Sequence, residues 1–174
     1  MRIDTRLTDP LADLPLRSFG GGPSIPDGDL RRNLAFRNLV RANMVKLASG
    51  QQMVTRLKNR GVNVTALTRT QILDGTGGAK LDHLTAAEKN AVVGRTPLWF
   101  YVLREAELND GRLTGVGARI VAETFHRAME GSRFSIVRNP GFRPSLGRDD
   151  TTFEMTDLLF FAFGSKAGIN PLGG

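Results

Sequence analysis

Cysteine is absent from the 174-residue sequence, which excludes a disulfide framework, a thiolate metal site and a cysteine nucleophile. Histidine is scarce: His83 and His126 are the only two, and their spacing does not fit a metal site. No apolar run approaches the roughly 20 residues that a membrane span requires. The first fifteen residues lack the apolar stretch of a secretory signal. Location therefore stays unknown, with the cytoplasm as the default, because a chain without cysteine suits either redox environment.

Sequence motifs of common active sites are also missing. The sequence contains no GxSxG and no HExxH motif. The glycine run Gly75–Gly78 lacks the frame of a phosphate-binding loop and follows no predicted strand, so we interpret it as a flexible connector. Glu105, Glu107 and the pair Asp149–Asp150 are predicted to be helix caps and surface charges. The sequence therefore predicts no catalytic residue and no metal ligand.

The composition is that of an ordinary globular protein, with 40% hydrophobic and 24% charged residues. The formal net charge is +7, and 19 of the 24 basic residues are arginine. These arginines are spread along the chain, whereas nucleic-acid-binding proteins usually concentrate basic residues in a patch with interleaved aromatics. The charge therefore favours solvated helix faces or contacts with an anionic group over nucleic-acid binding.

Helix-start signals recur along the chain and predict an all-α fold. A Ser or Thr followed three residues later by Gln or Glu is typical of a capping box, and it occurs at Ser49/Gln52, Thr68/Gln71, Thr85/Glu88 and Thr151/Glu154. Thr96 is the predicted N-cap of an aromatic helix that has Pro97 at its first position. A long helix is predicted from about Val116 to Glu130, and an apolar one from Met155 to Phe163.

Two of these helices are predicted to contribute to the core. The buried face of the long helix is expected to contain Phe125, and truncating that side chain should cost roughly 3 to 5 kcal/mol. Its other predicted members are Ile120, Val121, Thr124 and Ala128. The helix from Met155 to Phe163 is hydrophobic nearly all round, which predicts burial.

Residues 1–33 differ in character from the rest of the chain. Four prolines and three consecutive glycines interrupt any helix there, namely Pro10, Pro15, Pro23, Pro26 and Gly20–Gly22. We therefore predict an extended Pro/Gly-rich N-terminal arm over residues 1–33 and a helical domain over residues 34–174.

The stretch from Leu34 to Met53 is the most unusual one. Its helical wheel has two opposed apolar arcs, which is typical of a helix wedged between layers. Asn38 and Arg41 project from one of these faces at i, i+3 spacing. An amide and a guanidinium in an apolar setting indicate a polar partner outside the helix.

The Arg-Asn-x-x-Arg pattern at Arg37, Asn38 and Arg41 resembles the helix that follows the proximal histidine in animal-type (myeloperoxidase-like) haem peroxidases. The Ser49-Gly50-Gln51 that follows is similar to their bacterial branch. Further segments resemble the family in the same order: Arg6 to Pro15, Thr96 to Glu107, Gly117 to Phe134, and Ile169 to Gly173. Ser132 and Thr124 depart from the usual Asp and Gln. The resemblance implies an irregular multi-helix fold corresponding to the C-terminal, proximal part of the family's domain.

The resemblance also implies roles and partners. In the family, the residue at the place of Asn38 bonds the far nitrogen of the proximal histidine, and the residue at the place of Arg41 lies near a haem propionate. Neither His83 nor His126 matches a haem histidine of the family. The chain is therefore expected to begin in the middle of the domain and to hold haem only with a missing N-terminal portion.

Three functions are compatible with the sequence. The first is the C-terminal portion of a haem peroxidase, with an N-terminal half or another copy of the chain as partner and with hydrogen peroxide and a small-molecule donor as substrates. The second is a non-catalytic helical scaffold or partner subunit derived from that family. The third, less favoured, is a basic nucleic-acid-binding module. No membrane partner is expected.

Overall fold

The structure, a computed structural model, describes residues 3–15, 18, 26 and 29–164. These residues form helices and no strand, which confirms the all-α prediction. The α-helices are α1 (Asp9–Ala12), α2 (Leu34–Met44), α3 (Gly50–Lys58), α4 (Arg69–Leu73), α5 (Ala86–Gly94), α6 (Leu98–Glu107), α7 (Gly115–Gly131) and α8 (Met155–Phe163). Short 3-10 turns lie at Leu30–Arg32 and Ile136–Arg138. The predicted similarity at Ile169 to Gly173 and the glycines of the arm lie outside the described residues.

The chain divides into two compact units, Met1–Thr124 and Phe125–Gly174. In the first unit, the core is built from α3, α6 and the start of α7, where Val54, Leu57, Tyr101 and Val116 are buried. The hydroxyl of Tyr101 accepts a hydrogen bond of 2.9 Å from the backbone of Leu67, so this large side chain leaves no unpaired polar atom inside.

Three of the predicted capping boxes are present with both reciprocal hydrogen bonds. They are Ser49/Gln52 in α3, Thr68/Gln71 in α4 and Thr85/Glu88 in α5. Two cap predictions were wrong. Pro97, not Thr96, occupies the N-cap of α6, and Glu154 with Asp157 caps α8 in place of Thr151 with Glu154.

Thr96 has a different role from the one predicted. It is fully buried, its hydroxyl donates to the carbonyl of Val92 at 2.8 Å, and its backbone N–H donates to the side-chain oxygen of Gln51 at 2.9 Å. The Gln51 amide nitrogen in turn donates to the Thr96 hydroxyl at 2.7 Å and to the Val93 carbonyl at 2.8 Å. These bonds fasten α3 to the end of α5.

Helix α2 packs against α6 and α1 but contains no buried residue. Phe36, Val40 and Leu47, which form one of the predicted apolar arcs, are between 38% and 47% exposed. The expectation of a helix wedged between two layers is therefore not met within the described residues, because this apolar arc stays partly exposed.

Burial in the second unit differs most from the prediction. Phe125 is 65% exposed and Ala128 is also exposed, so the predicted apolar face of α7 is open at these positions. Phe160 and Phe161 of α8 are 51% and 63% exposed. The burial predictions for Phe125, Ala128 and α8 were wrong, because the described part of this unit contains no second layer that could cover them. Ile120, earlier in α7, does pack against the core of the first unit.

The described residues of the N-terminal arm contact the helices at defined points. Arg32 is buried, and its Nε lies 2.7 Å from the carboxylate of Asp13 and 3.0 Å from the carbonyl of Leu14. The hydroxyl of Thr5 donates to Glu107 of α6 at 2.6 Å. The arm therefore runs along the first unit at residues 5 to 14.

Candidate functional site

Asn38 and Arg41, the predicted cofactor-binding residues, are brought together on α2. The Nη2 of Arg41 donates a hydrogen bond of 3.0 Å to the Oδ1 of Asn38, as the i, i+3 spacing allows. Asn38 is half-buried and Arg41 is exposed. The structure therefore leaves the amide partly accessible and gives it a partner within its own helix.

A groove runs beside this pair along α2. Phe36, Val40 and Met44 supply its apolar wall, and Arg31, Arg37 and Arg41 supply guanidinium groups. Arg31 forms an ion pair of 2.7 Å with Asp29. Hydrogen bonds from Arg31 lower the pKa of Asp29 to about 2. An apolar surface bordered by cations suits a flat hydrophobic molecule that carries carboxylates.

Haem is one molecule of this class, and the groove offers guanidinium groups for its propionates but no histidine for its iron. An amide oxygen has two lone pairs, so Asn38 can accept a second hydrogen bond beside the one from Arg41. His83 and His126 are both exposed and neither lines the groove. Within the described ranges, no group of three or more His, Cys, Asp or Glu side chains could hold a metal ion.

A second polar cluster, which the sequence did not reveal, surrounds the end of α6. The side chain of Glu107 is only 4% exposed and lies 2.8 Å from the guanidinium of Arg104, which is fully buried. Its carboxylate also accepts hydrogen bonds from the backbone N–H groups of Thr76 at 2.7 Å and Gly78 at 3.0 Å, as well as from Thr5. Arg104 in turn donates to the carbonyl of Ala79.

The prediction of a surface charge at Glu107 was therefore wrong. The glycine run Gly75–Gly78, interpreted as a flexible connector, wraps around this carboxylate. A Cβ at Gly78 would lie 2.0 Å from the Glu107 carboxylate, so glycine is required for the approach. Burial raises the pKa of Glu107, but its hydrogen bonds and the charge of Arg104 outweigh this and lower the pKa below the ordinary value.

Glu105 is also buried, although it caps a helix as predicted. Its carboxylate accepts hydrogen bonds from the backbone N–H groups of Val116 at 3.1 Å and Gly117 at 3.0 Å, in the first turn of α7. Burial raises the pKa of Glu105, and these two hydrogen bonds offset part of that shift. Glu105 thus fixes the start of α7, and Glu107 fixes the loop at residues 76–78.

No helix among the described residues has the length and apolarity that crossing a membrane demands. A scan of the chain against protein-family models and searches for similar curated proteins and solved structures returned no match.

Proposed function

We propose that this chain is the proximal-side, C-terminal portion of a haem peroxidase, which becomes active only with a partner that supplies the haem histidines. The partner is an N-terminal half of the peroxidase domain or another copy of the chain. Hydrogen peroxide and a small-molecule donor are the substrates of the assembled enzyme. Haem supplies the redox chemistry when it is bound, and this chain contributes groups that position it.

The observation that carries the proposal is the geometry of Asn38. It lies on a helix whose apolar side is partly uncovered, and it keeps one acceptor position of its amide oxygen after Arg41 has used the other. An imidazole N–H from a partner is a group that would occupy this position. A hydrogen bond to the far nitrogen of a metal-bound histidine fixes its ring and its tautomer.

Arg41 has a complementary task in this proposal. Its guanidinium lies between Asn38 and the groove, and it has more N–H donors than its one bond to Asn38 uses. A carboxylate at the border of the groove would take the remaining donors in a charge-assisted contact. The two side chains thus act on different parts of one bound molecule.

Exogenous imidazole stands in for the partner's histidine and so tests the proposed role of Asn38, with the chain in large excess over hemin because the chain alone is expected to bind haem only feebly. The full chain is titrated with hemin and then with either imidazole or 1-methylimidazole, which has no N–H to donate, and binding is followed in the Soret band. We expect the chain to raise the preference of hemin for imidazole over 1-methylimidazole by roughly two- to tenfold, the value of one hydrogen bond. Hemin without protein gives the baseline ratio.

Asn38→Ala should return this ratio to the baseline. Asn43→Ala on the same helix is the matched control, because Asn43 is exposed and has no side-chain hydrogen bond in the described structure. A wild-type ratio equal to that of hemin alone would contradict the proposal. So would an equal loss in both variants.

The uncovered apolar residues favour one alternative, a non-catalytic partner subunit derived from the same family. Phe125 and α8 expose large apolar side chains that a second polypeptide could cover. This alternative predicts complex formation by the chain but no dependence of hemin ligation on Asn38.

A further inference from the structure

A second groove lies on the first unit, between α3 and the end of α5, with an open volume of about 710 Å³. Arg56 reaches it from α3, Arg60 from the second residue after α3, and Arg95 from the residue after α5. Arg60 lies past the C-cap of α3, and both Arg56 and Arg60 line the depression. Three guanidinium groups therefore converge on one surface depression.

These three arginines have no acidic partner in the part of the chain that the structure describes. All three side chains are exposed, and none takes part in an ion pair with a described carboxylate. No Asp or Glu lines the groove. Two other exposed arginines do have such a partner: Arg119 pairs with Glu123 and Arg148 with Glu154. Three like charges at one site repel one another unless an anion joins them.

The other polar groups at the groove add donors. Gln52 uses its side-chain oxygen to accept from the Ser49 backbone, which leaves its amide N–H groups for a ligand. The side chain of Asn59 also lines the groove and makes no hydrogen bond within the described residues. The groove is thus rich in N–H donors and has no carboxylate, which is the pattern of an anion-binding site.

The floor of the groove is rigid. The amide of Gln51 bonds both Thr96 and the Val93 carbonyl, so α3 and the end of α5 keep a fixed spacing. The backbone positions from which Arg56 and Arg95 project are therefore fixed relative to one another before any ligand arrives. Such preorganisation reduces the entropy that binding costs.

Helix dipoles account for only part of this arrangement. Arg56 lies in the last turn of α3 and Arg95 is the C-cap of α5, where a cation stabilises the helix end. One cation at each end satisfies that effect. Arg60 lies beyond the C-cap of α3 and lines the same groove, and donors from Gln52 and Asn59 are not explained by a dipole.

We propose that this groove binds a phosphate-bearing anion of at least two negative charges, such as pyrophosphate or the diphosphate group of a nucleotide. Guanidinium groups bind phosphate oxygens in pairs through their planar fork of donors. The site is separate from the α2 groove, since the two grooves share no lining residue. It is independent of the proposed peroxidase function.

Titration of the full chain with pyrophosphate tests the site, with binding measured by calorimetry at constant ionic strength. We expect wild-type protein to bind, and each of Arg56→Gln, Arg60→Gln and Arg95→Gln to weaken binding roughly tenfold or more, as the loss of a charged hydrogen bond implies. Arg69→Gln, an exposed arginine of α4 that does not line the groove, is the matched control and should bind as wild type does. Circular dichroism checks that all variants are folded.

Absence of pyrophosphate binding by the wild-type chain would overturn the proposal, as would an equal loss in Arg69→Gln. Adenosine diphosphate is titrated in parallel. Tighter binding than that of pyrophosphate identifies a nucleotide as the source of the phosphate, and equal binding identifies the free anion. If a single-stranded oligonucleotide binds and pyrophosphate neither binds nor displaces it, the groove is not a small-anion site.

Discussion

The charged residues of α6 show which features of a single side chain can be predicted from sequence and which cannot. Glu107 follows an apolar stripe and is followed by a polar turn, which is the local pattern of a surface charge. Its burial depends on Thr5 and on residues 76 to 78, which are distant in sequence. Periodicity in one helix contains no information about such partners. Asn38 and Arg41 could be paired in advance, because their contact is set by helix geometry alone.

Glu107→Gln is expected to lower the free energy of unfolding by about 3 to 5 kcal/mol, because it leaves the buried guanidinium of Arg104 without its counter-charge. Urea unfolding followed by circular dichroism measures the change. Glu123→Gln is the matched control: it breaks the exposed pair with Arg119, which is worth about 1 kcal/mol at most. Equal effects of the two substitutions would show that Glu107 is not buried in solution.

The difference in unfolding free energy between wild type and Glu107→Gln is expected to depend on pH. The pKa of Glu107 in the folded state lies below its ordinary value of 4.5. The ionised carboxylate therefore stabilises the fold above pH 4.5, and this contribution is lost as the pH falls through the lowered pKa. The difference in unfolding free energy between wild type and Glu107→Gln should shrink on acidification below pH 4.5. A difference that is constant with pH would contradict the assignment.

Helices were predicted well where their limits are set locally. The capping boxes of α3, α4 and α5 involve residues three positions apart, so their hydrogen bonds follow from sequence spacing. The prediction of Thr96 as an N-cap was wrong because Thr96 instead hydrogen-bonds to Gln51, which is 45 residues away in sequence. The burial predicted for α2 and α8 was not found for a related reason: an apolar face is buried only if another element lies against it.

Close packing between α3 and α6 leads us to expect that a larger residue at Gly50 destabilises the fold. A Cβ on Gly50 would lie 2.1 Å from the ring of Tyr101, which the core holds in place. Gly50→Ala should therefore lower the unfolding free energy by about 1 to 3 kcal/mol through overpacking. Gly94→Ala in α5 is the matched control, because nothing lies within 4 Å of its added methyl group. There we expect a gain of about 0.5 to 1 kcal/mol, since alanine is the better helix former. Thermal or urea unfolding distinguishes the two, and a loss in both would indicate a general intolerance of α3 and α5.

Over the whole molecule, burial is distributed unevenly. The fully buried side chains belong to the first unit, whereas the described part of the second unit contains no buried residue. Overall composition did predict a chain able to bury a core, but it could not predict which helices would form it. Large apolar side chains of the second unit, such as Phe160 and Phe161, are exposed, and they give the chain a surface suited to a partner.

Truncation of one apolar side chain in each unit tests this distribution. Ile72 is 2% exposed, so Ile72→Ala should cost about 2 to 5 kcal/mol of unfolding free energy. Phe125→Ala should cost less than about 1 kcal/mol, because its side chain is 65% exposed and its removal leaves no cavity. Both variants are measured as the isolated chain by urea unfolding over a range of protein concentrations. If Phe125→Ala instead costs several kcal/mol and the loss grows with protein concentration, a second copy of the chain covers this side chain. A large loss that is independent of protein concentration would contradict the exposure of Phe125.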